Sequence, residues 1–143
     1  MEKSKIKKRT ILAAITIAIA AIVIMATLMI ATQTPEVHAS LPEWRGKQWE
    51  PKRGWVNLYN FTVLATANPL MPVWVTVETN GRIIDFTPLN LPFDKLGNET
   101  ITIGPIWPSG RHEILIVVDI PVDVDPHYNI TVRTPFLSVM VGI

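Results

Sequence analysis

Four side chains between residues 119 and 127 form the one acidic cluster in the sequence: Asp119, Asp123, Asp125 and His127. Alternate carboxylates in a loop can bind a hard cation such as Ca²⁺, which takes about six to eight oxygen ligands. Here neither a glycine for the sharp turn nor a terminal bidentate glutamate accompanies them, so a solvated acidic loop is the expectation. His38, His112 and His127 show no metal-ligand spacing such as a pair four apart on a helix. His112 and Glu113 adjoin on a predicted strand and therefore point to opposite faces. Ser40, Ser109 and Ser138 lack the flanking glycines of a nucleophile elbow. Cysteine is absent, which excludes a disulfide framework and thiolate chemistry, and there is no glycine-rich phosphate loop. The expectation is a chain with no catalytic residues, no metal and no cofactor, and no enzymatic activity of its own.

A second kind of chemistry is modification. Three Asn-x-Thr triplets occur, Asn60-Phe61-Thr62, Asn98-Glu99-Thr100 and Asn129-Ile130-Thr131, none with proline in the middle. Residue frequency alone gives about one such acceptor in a chain of this length, so the sequence predicts an N-glycosylated surface protein. Asn98 stands in the most loop-like setting. Asn60 and Asn129 fall within predicted strands and need outward-facing side chains.

The element that would carry these acceptors out of the cytoplasm is the run Ile11 to Ala31, uncharged and free of proline, in which only Thr16 and Thr27 interrupt aliphatic residues and methionine. At about 1.5 Å per residue it makes a helix of about 31 Å, the thickness of a bilayer's hydrocarbon core. Lys3, Lys5, Lys7, Lys8 and Arg9 precede it and no positive charge follows until Arg45, so residues 1–10 are expected to be a cytoplasmic tail and the rest to lie outside. The competing expectation is a signal peptide cleaved after Ala39, because Val37 and Ala39 are small residues at the positions a signal peptidase inspects, and cleavage there makes the protein secreted. The apolar run exceeds the usual signal length of about 7 to 15 residues, which favours a retained anchor.

Residues 32–53 contain Pro35, Pro42 and Pro51, with Trp44 and Trp49 among Glu43, Arg45, Lys47, Glu50, Lys52 and Arg53. They are expected to be a juxtamembrane linker whose tryptophans either tuck into the domain or lie on the outer membrane surface. From residue 54 to 143 the pattern changes to short β-branched and aromatic runs divided by Pro, Gly and Asn, predicting about seven strands. Asn80-Gly81 between Val73–Glu78 and Ile83–Phe86 predicts a β-hairpin with a type I′ turn. Glu113–Ile120, nearly all aliphatic, reads as a central strand buried on both faces. Alternation selects a core of Val75, Val77, Ile84, Ile101, Ile103, Leu115, Val117, Ile130 and Val132, subject to a register error of one. Phe136, Leu137, Val139, Met140 and Val141 form an apolar last strand, which either completes its own sheet or adds to a neighbouring subunit by strand exchange. The fold class is therefore all-β, a single antiparallel β-sandwich preceded by one transmembrane helix.

The formal net charge is +1, but residues 34–143 hold eight basic and eleven acidic side chains, a net −3 that gives no footprint for nucleic acid. The stretch Glu99–Ile120, an Ile/Thr strand, a Pro-Ser-Gly turn and then His-Glu-Ile-Leu-Ile-Val-Val-Asp, resembles the closing half of immunoglobulin-like domains in archaeal cell-surface proteins. That resemblance implies an immunoglobulin-like sandwich. Asn80–Pro121, with Gly81-Arg-Ile-Ile, Leu91-Pro and the Gly110-Arg-His turn, is similar in layout to the small subunit of archaeal thiosulfate:quinone oxidoreductase. This second resemblance implies an accessory subunit of a membrane-bound respiratory complex. The expected partners are membrane lipid and other protein subunits. The expected role is a structural or adhesive subunit of a surface assembly, with the respiratory accessory subunit or a cleaved filament subunit as alternatives.

Overall fold

Long aliphatic side chains and alanines cost little to place in a helix, and in the computed structural model, which describes residues 2–142, they form α1, Glu2–Ala31. Thr16 Oγ1 donates to Leu12 O at 2.9 Å and Thr27 Oγ1 to Val23 O at 2.8 Å, so the hydroxyls of the apolar stretch are satisfied within the helix. No residue of α1 is buried by protein, and the helix is long and apolar enough to cross a bilayer. The chain divides after Thr32, and a second compact unit begins at Gln33.

That unit consists of two antiparallel sheets packed face to face. One contains β1 (Glu36–Ala39), β2 (Glu43–Glu50), β3 (Gly54–Thr66), β5 (Arg82–Thr87) and β8 (Arg111–Pro121), in the order β1-β3-β8-β5 with β2 pairing the first half of β3. The other contains β4 (Val73–Thr79), β6 (Phe93–Lys95), β7 (Thr100–Ile106), β9 (Tyr128–Arg133) and β10 (Ser138–Gly142), in the order β10-β9-β4-β7-β6. Inward positions alternate along each strand as the pleat requires: Phe61, Val63 and Ala65 on β3, Val73, Val75 and Val77 on β4, Ile101 and Ile103 on β7, Ile130 and Val132 on β9. Phe61 and Tyr128 stack across the layers, ring centres 4.3 Å apart. Beside them β1 and β10 lie close together, and Val37, Ala39 and Val141 cover that flank of the core.

Four expectations are corrected. Residues 32–53 are not a linker: they supply β1 and β2, both zipped to β3 from Glu36 opposite Thr66 to Glu50 opposite Gly54. Residues 73–87 are not a hairpin, because β4 and β5 belong to different sheets and neither Asn80 nor Gly81 has positive φ. Gly81 is required for space instead, since a Cβ there would stand 2.4 Å from Asp119 O. Asn80 is also engaged elsewhere, donating to Asp125 O at 2.6 Å and accepting from His127 N at 2.9 Å. The core register is shifted by one on two strands: Ile83 replaces Ile84, and Ile114, Ile116 and Val118 replace Leu115 and Val117. Accordingly β8 is buried mainly on one face, with Leu115 36% exposed and Ile116 fully buried.

Candidate functional site

Asp119, expected in a solvated acidic loop, sits near the end of β8 and is 2% exposed. It faces away from the inter-sheet core, whose β8 contributors are Ile114, Ile116, Val118 and Ile120. Opposite it in register stand Leu58 on β3 and Arg82 on β5. Arg82 Nε and Nη2 donate to Asp119 Oδ2 at 3.1 and 2.8 Å, and Arg53 Nη1, from the β2–β3 turn, donates to Oδ1 at 2.5 Å. Arg82 Nη2 also reaches Glu50 Oε2 at 3.3 Å. The hydrogen bonds and charge of Asp119 outweigh partial burial and raise the Arg82 pKa above its ordinary value, so this guanidinium stays charged.

This cluster fastens three separate pieces of chain, the β2–β3 turn, the start of β5 and the end of β8. Both carboxylate oxygens of Asp119 are occupied by guanidinium donors, so Asp119 is not available as a general base or cation ligand. An open cleft of about 270 Å³ adjoins the pair, lined in part by Arg53, Arg82, Asn98 and Glu99. Sequence reasoning missed the cluster because its bonded partners lie 32 to 66 positions apart. The one available signal was a lone carboxylate inside the aliphatic run Ile114–Ile120.

The other expected site residues are dispersed. Asp123 and Asp125 are exposed in the β8–β9 connection, and among the described residues no three His, Asp or Glu side chains come together in a way that could hold a metal. His112 Nε2 lies 3.2 Å from Pro108 O, and His38 is on β1 across the sheet from Leu64. Ser109 is fully buried and donates to Asn68 O at 2.6 Å, Ser40 accepts at Oγ from Thr62 N at 2.8 Å, and Ser138 starts β10.

The three acceptor asparagines all reach the surface. Asn98 is exposed in the turn between β6 and β7, and Asn129 is exposed on β9. Asn60 is half-buried on β3, where it alternates with the inward-facing Phe61. Asn60 and Thr62 lie on one face of their strand, as do Asn129 and Thr131, because residues two apart on a strand share a face.

Ala39 lies in β1, opposite Val63, and packs on the core. The adjoining Ser40 donates through its amide to Thr62 O at 2.9 Å and accepts at its carbonyl from Tyr128 Oη at 2.6 Å. Burial raises the Tyr128 pKa above its ordinary 10.0. In the C-terminal segment, Ser138–Gly142 pairs with β9 of the same chain, while Phe136 and Leu137 fall in the preceding turn. Phe136 and Met140 are exposed, and Leu137, Val139 and Val141 are half-buried. No protein-family model matches this chain, and no curated protein matches it.

Proposed function

We propose that the protein is a non-catalytic, membrane-anchored and N-glycosylated component of the cell envelope, acting as a structural or adhesive subunit of a surface assembly. The observation that carries this reading is the outward placement of the Asn-x-Thr acceptors on a sandwich that follows an apolar helix. Retention of the helix is favoured by β1: cleavage after Ala39 would strip Val37 and Ala39 from the core and unpair one edge of β3. The anchor is oriented by the basic residues ahead of α1, with the sandwich outside.

The sandwich is read as immunoglobulin-like from its pairing. Strands β1, β3, β8 and β5 correspond to A, B, E and D, and β4, β9 and β10 to C, F and G, each in the right chain order. Two additions distinguish it, β2 as a second strand on the edge of β3 and a β6–β7 hairpin beside β4. Tyr128 opens the F-equivalent strand and anchors its hydroxyl on backbone, here that of Ser40.

Purification of the full chain from its native membranes in mild detergent tests the role. Recovery in filaments or sheets, with glycan on peptides containing Asn60, Asn98 or Asn129, is the expected result. Co-elution with a multispanning quinone-reactive protein and no higher assembly would instead favour an accessory respiratory subunit.

A further inference from the structure

Three connections meet at one end of the sandwich: residues 67–72 between β3 and β4, 107–110 between β7 and β8, and 134–137 between β9 and β10. The strand registers bring them together, with Thr66 opposite Arg111, Val73 opposite Ile106 and Trp74 opposite Arg133. They are held in place: Ala67 N donates to Gly110 O at 2.8 Å, Thr134 N to Leu137 O at 2.8 Å, and Leu137 N to Thr134 Oγ1 at 3.1 Å. Each connection presents one large apolar side chain to the outside, Leu70 at 65% exposure, Trp107 at 69% and Phe136 at 65%. Three apolar tips are thus fixed in place and exposed at one end of the domain, while Trp49 and Trp55 are exposed at the other.

We propose that this end is seated in the head-group region of the lipid bilayer, with Leu70, Trp107 and Phe136 as the inserted side chains. The assignment rests on the membrane-anchored reading above and goes beyond it by naming the surface that meets lipid. Connectivity is the first argument. The unit begins at Gln33, whose Oε1 accepts from Asn68 Nδ2 at 2.6 Å, so its chain entry is fixed at this same end. The apolar helix ends at Ala31, two residues earlier in the sequence.

Charge is the second argument. The three connections and the residues that flank them contribute exposed Arg111 and Arg133 and half-buried His112. The acidic residues near this end are Glu36 and Glu113, both on strands. The opposite end carries Glu50, Glu99, Asp119, Asp123 and Asp125 against Lys52, Arg53 and Arg82. The first end is formally balanced, Arg111 and Arg133 against Glu36 and Glu113, while the second is net acidic, so an anionic head-group layer repels only the second. Arg133 lies over the Trp74 ring, 4.6 Å from its centre, combining the two side-chain types that favour the membrane interface. In keeping with this polarity, Asn98 and Asn129 lie toward the opposite end, where glycans clear the lipid.

The absence of cysteine makes the test direct, because single cysteines can be introduced for spin labels. The full chain carrying Leu70→Cys, Trp107→Cys, Phe136→Cys, Asp123→Cys or Ile19→Cys is labelled and reconstituted into phosphatidylcholine vesicles containing phosphatidylglycerol. Collision rates with oxygen and with a water-soluble nickel chelate then report depth. The expected result is shielding from nickel and access to oxygen at 70, 107 and 136, full nickel access at 123, and lipid burial at 19. Nickel access at the three tips equal to that at 123, with 19 in lipid, overturns the proposal and leaves the anchor standing. An aqueous label at 19 removes the anchored reading and this assignment with it. Shielding of the tips in native membranes but not in protein-free vesicles identifies a protein partner and also overturns the proposal.

Discussion

Replacing Asp119 by alanine removes the carboxylate held by both Arg53 and Arg82. Breaking a buried ion pair by deleting one partner costs about 3–5 kcal/mol, much of it from the charge left without compensation. Here the two arginine side chains are 29% and 34% exposed, so they regain part of their hydration, and Arg82 keeps Glu50 at 3.3 Å. The lower bound applies, and Asp119→Ala should destabilise the sandwich by about 3 kcal/mol, or about 10–15 °C in melting temperature for a unit of this size. Asp119→Asn retains an acceptor for one guanidinium and should cost about half as much. The assay is thermal unfolding of the full chain in detergent, followed by near-ultraviolet circular dichroism, to which the edge-to-face pair Trp49 and Trp55 contributes. A double-mutant cycle with Arg53→Met and Arg82→Met should show strong coupling through Asp119. If Asp119→Ala costs no more than about 0.5 kcal/mol, the pairs behave as ordinary surface salt bridges and the clamp reasoning is wrong.

Three further outcomes follow from the packing. Ile116→Ala should cost about 2–5 kcal/mol and Leu115→Ala much less; equal losses in denaturant melts would contradict the register of β8. Gly81→Ala forces a Cβ against Asp119 O and Ile120 Cγ1 at 2.4 and 2.5 Å, and should destabilise by about 1–3 kcal/mol, whereas a neutral effect in the same melts would show that the β4–β5 crossing is loose. Tyr128→Phe should cost about 1–2 kcal/mol at neutral pH through the lost bond to Ser40 O. Because burial raises the Tyr128 pKa, the neutral phenol's contribution is complete below about pH 10 and is lost as pH rises through the folded-state value. The stability gap between wild type and Tyr128→Phe should therefore narrow in alkaline titrations, and a constant gap above pH 10 would contradict the assignment.

The period-two alternation of Val73, Val75 and Val77 and of Ile101 and Ile103 made the sheet faces legible, because over these residues one phase is wholly aliphatic and the other carries threonines. The same logic failed on β8, where apolar residues occupy both phases and alternation cannot choose between Leu115 and Ile116. Asn80-Gly81 misled because local turn chemistry carries no information about the sheet change. That change is fixed by Asn80 bonding to Asp125 and His127 and by the close approach of Gly81 to Asp119, contacts made across long stretches of chain. Trp44 and Trp49 look like juxtamembrane residues in linear sequence, yet pairing of β2 with β3 carries Trp49 to the end of the domain opposite Gln33. The Asn-x-Thr acceptors needed no tertiary knowledge to find, whereas the Arg53, Arg82 and Asp119 clamp exists only once β3, β5 and β8 are side by side.

The most direct measurement is the intact mass of the protein extracted from its native membranes. An anchored, outward-facing glycoprotein predicts a chain that retains residues 2–39 and carries discrete glycan increments on one or more of Asn60, Asn98 and Asn129. A mass matching an unmodified chain that begins at Ser40 would contradict both the anchor and the role of β1.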